Sequence, residues 1–141
     1  MALITLTTEW REDDFFHGIL RGKLSASCPD AAVVNNAGGI PPLNIMHGAF
    51  VIRNTFSQYP EGTIHLVFVS SEGSGNQPHL LVKARGHWFI GADNGIFNLI
   101  LNAGPDEIVS IGHNAGIDEL DVFATAAADL MKGRKLSDLG K

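Results

Sequence analysis

The chain has 141 residues, 45% of them hydrophobic, a formal charge of -5 and a single cysteine, which suits one domain with an ordinary core. Ten Lys and Arg against fifteen Asp and Glu, with no cationic cluster, leave no electrostatic footprint for a nucleic-acid backbone. The opening MALITLTTEWREDD lacks the basic start and apolar core of a signal peptide, no run approaches the roughly 20 apolar residues of a membrane span, and Cys28 has no partner for an internal disulfide, so the expectation is a cytoplasmic protein without membrane contact.

The first element is LITLT at 3–7, a short β-rich run ending in a polar loop. DDFFHGILRGKLSASC at 13–28 follows as a helix, with Asp13 and Asp14 as cap and dipole partners and Phe16, Ile19, Leu20 and Leu24 on one face, ended by Pro29-Asp30. AAVVN at 31–35 is a second buried strand, and NAGGIPP makes a turn in which glycines permit positive φ and prolines forbid a continuing ladder. NIMHGAFVIRNTFSQY at 44–59 predicts a second helix, capped by Asn44 and facing inward through Ile45, Ala49 or Phe50, Ile52 and Phe56. TIHLVFV at 63–69 is apolar without alternation, the pattern of a strand covered on both faces. HLLVKARGHWFIGA at 79–92 predicts two strands folded at Arg85-Gly86. ADNG then turns the chain into a short helix closed by Gly104-Pro105. EIVSI is a last strand, and LDVFATAAADLMKG a last helix with Gly133 as its C-cap.

Strand and helix alternate throughout, so the expected fold class is α/β: a three-layer sandwich with a mostly parallel or mixed central sheet and helices on both faces. In such sheets a ligand lies beyond the carboxyl ends of the strands, which directs attention to TTEWREDD, NNAGGIPPLN, SSEGSGNQ and GADNG. NAGG before a proline pair is no dinucleotide fingerprint, because no helix N-terminus follows at the required offset. SSEGSGNQ lacks the Lys-Ser/Thr end of a P-loop, which leaves a solvated turn or a backbone nest for an anion. The six histidines (His17, His47, His65, His79, His87 and His113) show no HxxxH spacing, so no metal site is expected. Glu9, Glu12, Asp13 and Asp14 cluster at a strand end, where paired carboxylates serve as acid and base, hold sugar hydroxyls or simply meet a helix dipole. Asp93-Asn94-Gly95 is a good turn sequence.

Taken together, these loops resemble the N-terminal domain of the S-adenosylmethionine hydroxide adenosyltransferase family, which includes the fluorinases and chlorinases. ITLTTEW is similar to the family's opening strand and Thr-Asp-Phe-Gly segment, and Asp14, Phe16 and Gly18 fall on its Asp-x-Tyr-x-Gly. IPPLNIMHGAF, YPEGTIHLVFV, FIGADNGIF and VFATAAADLMKGRKLSDLG each resemble a family motif, in the family's order and over nearly the whole chain. The resemblance implies a single domain over 1–141, with the family's C-terminal barrel domain absent. It also implies an adenosyl ligand without a separate cofactor, and a homo-oligomer, a trimer in the family, with each ligand held between two subunits.

The hydrolysing branch carries an Asp-Arg-His set that orients and activates water for attack on the ribose C5′. Here the acid position falls on Ser70, or on Ser71 if the loop is shifted; the arginine position falls among Asn76, Gln77 and Pro78; and the histidine position falls on Asp118, five residues after His113. No arginine lies between Arg53 and Arg85. The residues implied for ligand binding are Glu9, Asp14, Asp93 and Asn94. Glu9 is one methylene longer than the family's aspartate, a displacement on the ~1 Å scale that can cost about 100-fold where alignment matters. The expectation is a divergent, non-catalytic relative that keeps adenosyl binding. The alternatives are an active S-adenosylmethionine hydrolase with a rebuilt site based on Glu9, Glu72, Asp118 or His113, and a structural or regulatory subunit that pairs with a separate C-terminal domain or a full-length paralogue.

Overall fold

A computed structural model of the chain describes residues 2–70, 78–112 and 119–140. Six strands form one sheet: β1 (Ala2–Thr8), β2 (Ala31–Ala37), β3 (Ile64–Phe68), β4 (His79–Ala84), β5 (His87–Ala92) and β6 (Glu107–Gly112), in the order β2-β1-β3-β5-β4-β6. β1 runs parallel to β2 and β3, and β3 parallel to β5, while β4 is antiparallel to both β5 and β6. The sheet is therefore mixed, with one reversed strand. Helices α1 (Phe15–Ser27) and α4 (Glu119–Met131) cover one face, α2 (Ile45–Thr55) and α3 (Ile96–Ile100) the other, and α5 (Leu136–Leu139) packs beside β6.

Alternation along the central strands builds the two cores. Ile4, Leu6, Leu66, Phe68 and Ile90 face α1 and α4, where Leu20, Leu24 and Phe123 meet them. Val67, Val69 and Phe89 face α2 and α3 and meet Ala49, Ile52, Ile96 and Phe97. Every residue of β3 is buried, as its unbroken apolar run predicts. Phe68 stacks on Phe123 with ring centroids 4.3 Å apart, the kind of contact whose truncation costs about 3–5 kcal/mol. Two helices come unusually close to the sheet over glycines. A Cβ on Gly48 would meet the Val69 methyls at 3.1 Å, and one on Gly91 would meet the Phe97 ring at 2.9 Å.

Asn44 caps α2 as expected, its Oδ1 accepting from His47 N at 3.0 Å. The hairpin between β4 and β5 turns on Arg85 (φ 52) and Gly86 (φ 80), the two positive φ values of a type I′ turn. Three local readings need correction. Asp14 occupies the N-cap position of α1, but its carboxylate bonds no helix amide and instead accepts from Arg11 N at 2.8 Å. The buried edge of α1 is His17, Leu20 and Leu24, while Phe16 and Ile19 are exposed together with Phe15, because the sheet covers a narrower stripe than the apolar pattern spans. β2 is not a buried strand but the edge of the sheet, with none of its residues fully covered and Val34 exposed. On α2, of the two residues the sequence offers, Ala49 faces inward, where Gly48 allows the close approach to Val69.

Candidate functional site

β1 connects through α1 to β2 on one side, and the chain then returns through α2 to β3 on the other side of β1. The strand order thus reverses at β1 and β3, and the crevice beyond their carboxyl ends is the place where this topology receives ligands. Glu9 follows β1 directly, and its own amide donates to Phe68 O at 3.1 Å. Ser70 lies two residues beyond β3. The β2–α2 loop is stapled to the same point by Gly39 N to Trp10 O at 2.8 Å and Ile40 N to Thr8 O at 3.1 Å. Gly38 is tolerated there for a steric reason, since a Cβ would sit 3.1 Å from Trp10 O.

The Glu9 carboxylate is the centre of this arrangement. Its Oε2 accepts from Leu43 N at 2.8 Å and from Ser70 N at 2.9 Å, so one oxygen ties two separate loops to the end of β1. Both donors have left-handed backbones, at φ 64 for Leu43 and φ 51 for Ser70. The other oxygen, Oε1, makes no hydrogen bond among the described residues and is the one available to a ligand hydroxyl.

Asn94 is equally engaged. Its Nδ2 donates to Val69 O at 3.0 Å and Ser70 O at 3.1 Å, and its Oδ1 accepts from Ile96 N at 3.1 Å. The side chain therefore fastens the end of β3 to the start of α3. Gly95, at φ 89, makes the turn between them. Asp93 is exposed, and its amide donates to Pro78 O at 2.9 Å. Asp14 is directed at its own loop through Arg11, and no hydrogen bond joins it to Glu9 among the described residues. Glu9, Ser70 and Asn94 are thus brought together through backbone groups, with Asp93 beside Asn94 and Asp14 apart from them. Gln77, Asp118, Ser71, Glu72, Asn76 and His113 lie outside the described residues.

Two further groups are not evident from the sequence. Trp10 packs against Phe68 (4.6 Å between centroids), Phe16 (5.6 Å) and, edge-on, His17 (5.3 Å). His17 is buried there, and neither ring nitrogen has a hydrogen-bond partner among the described residues. At the opposite, amino end of the sheet, Thr5 Oγ1 bonds His65 Nδ1 at 2.7 Å, and His65 Nε2 bonds His87 Nδ1 at 3.0 Å. Burial, and then the neighbouring His87, push the pKa of His65 down from 6.5 to about 3. Burial also lowers that of His87, against the opposing pull of Glu61. No three His, Cys, Asp or Glu side chains converge as a metal site among the described residues. Nor is any helix there long and apolar enough to cross a membrane.

Comparison with known proteins identifies the family. Residues 4–140 match the S-adenosylmethionine hydroxide adenosyltransferase N-terminal domain. The chain belongs to this family. Among its relatives, the (R)-S-adenosyl-L-methionine hydrolase of Methanocaldococcus jannaschii is 25% identical, covering 93% of this chain and 54% of the relative. The hydrolases of that name from Thermus thermophilus and Salinispora arenicola are each 28% identical, covering 99% and 97% of this chain and 61% and 56% of theirs. The chain thus spans little more than half the length of these relatives. A crystal structure of a conserved hypothetical protein from Thermus thermophilus superposes with a TM-score of 0.83 at 26% identity, over all of this chain and 58% of that one. A protein from Thermotoga maritima shares the fold at a TM-score of 0.85 and 22% identity, over all of this chain and 57% of that one.

Proposed function

We propose that this member of the family binds S-adenosylmethionine or adenosine weakly and does not hydrolyse it. The observation that carries this reading is the state of the β3 terminus. The position that the resemblance gives to the catalytic acid is Ser70, whose amide is taken up by the Glu9 carboxylate. A serine hydroxyl is no general base at neutral pH, and the absence of any arginine between Arg53 and Arg85 removes the second member of the set. In this reading the adenosyl group lies across the ends of β1 and β3, with Glu9 Oε1 accepting from a sugar hydroxyl. Asp14 and Asp93 stand at its rim, and Asn94 holds the shape of the wall.

The names of the matched relatives favour a second reading, hydrolysis to adenosine and L-methionine by a rebuilt site. A third, in which the domain works as a subunit beside another chain, is supported by an exposed apolar stripe of Leu43, Met46, Phe50 and Leu99 next to the crevice. Assembly into a homotrimer in the cytoplasm belongs to the same proposal. Purified protein incubated with S-adenosylmethionine, chromatographed for adenosine and methionine and titrated by calorimetry, separates the readings. The expected result is saturable heat without product. Turnover abolished by Glu9→Gln would establish the hydrolase instead, and no heat with either S-adenosylmethionine or adenosine would remove the binding reading. Sedimentation of the same samples tests assembly, a strict monomer counting against it.

A further inference from the structure

Three non-glycine residues among those described have positive φ. Arg85 belongs to the β4–β5 hairpin, and the other two, Leu43 and Ser70, are the residues whose amides meet on Glu9 Oε2. A left-handed backbone at a leucine or a serine is strained and persists only where surrounding contacts hold it. Successive or converging N–H groups in such turns form concavities that bind anions. The two donors come from different segments, the β2–α2 loop and the end of β3, and nothing in the local sequence of either requires an anion.

We propose that the Leu43 and Ser70 amides form an anion cradle at the mouth of the crevice, that Glu9 occupies it as an internal ligand, and that the vacated cradle takes a small monocarboxylate. Glu9 is thereby a positioning residue. Its longer side chain reaches both amides while leaving Oε1 free, and its charge is what keeps the two left-handed turns facing each other. Bonds from amides to a carboxylate are shorter and stronger than neutral ones, so a single oxygen suffices to hold both loops. The cradle does not depend on which ligand enters the crevice.

The test uses the full chain labelled with nitrogen-15, with formate as the probe. In Glu9→Ala the amide proton resonances of Leu43 and Ser70 shift upfield and the melting temperature falls by about 3–4 °C, the shift that ~1 kcal/mol produces in a domain of 141 residues. Formate at tens of millimolar then returns both resonances toward their original positions, saturably, and recovers at least half of the lost melting temperature, while the unmodified protein does not respond. Two amides that stay still when formate is added to Glu9→Ala, or an equal response in the unmodified protein, would overturn the proposal. Should Glu9→Ala not fold, Glu9→Gln preserves the shape and removes the charge. The same two resonances are expected to move upfield in it, and unchanged resonances there would equally overturn the cradle.

Discussion

The two ends of the sheet handle polar side chains in opposite ways. At the carboxyl end, Glu9 and Asn94 are half-buried and bond to backbone groups of neighbouring loops. At the amino end, Thr5, His65 and His87 are buried and bond to one another along a line that crosses β1, β3 and β5. The first arrangement shapes loops and leaves a carboxylate oxygen open to solvent. The second keeps its imidazoles neutral. Burial rather than residue type separates the two ends, the side chains of the first being half-buried and those of the second buried.

The largest expected effect tests the neutral end. Because His65 titrates near 3 in the folded protein and near 6.5 when unfolded, the unfolded chain binds the extra proton as pH falls. Its stabilising contribution is complete above pH 6.5 and declines by about 1.4 kcal/mol for each pH unit below it, until pH approaches 3. Urea unfolding at pH 7.5, 6 and 5 measures this, and a stability that does not change across that range would show that the pair is not held neutral. At the carboxyl end, Gly91→Ala is expected to cost about 1–3 kcal/mol, because the new methyl meets Phe97 at 2.9 Å. Phe97→Leu in the same chain should restore part of the loss, and thermal melts of the single and double variants distinguish a steric cause from a general one. Smaller again, Asn94→Ala removes three bonds to backbone groups of Val69, Ser70 and Ile96 and should cost about 1–2 kcal/mol. Hydrogen exchange should then quicken at Ile96 while the amides of β1 stay protected; equal acceleration in both would mean that the two ends are not independent.

Much of this fold is visible in the sequence because its signals are local. Pro29-Asp30, the NAGGIPP turn and Arg85-Gly86 punctuate the chain where the elements end, and the unbroken run of β3 marks it as central. The location of the crevice follows from strand order, which alternation of elements suggests. The His65–His87 pair is hidden for a different reason. It depends on the register that sets His65 opposite Phe89 and so brings His87 onto the same face, two residues away. Glu9 is conspicuous as an acid beyond a strand, yet its partners are amides of residues whose left-handed backbone no side chain announces. Phe16 and Ile19 look inward by periodicity, and only the width of the neighbouring sheet and α4 shows that they are not.

The reversed direction of β4 has one more consequence. Because β4 starts where β3 finishes, the chain leaves the sheet at Ser70 and returns at Pro78 on the same side, and both points are fastened to consecutive residues, Ser70 O to Asn94 Nδ2 and Pro78 O to Asp93 N. A change in the Asp93-Asn94 turn therefore acts on the end of β3 and on the approach to β4 together.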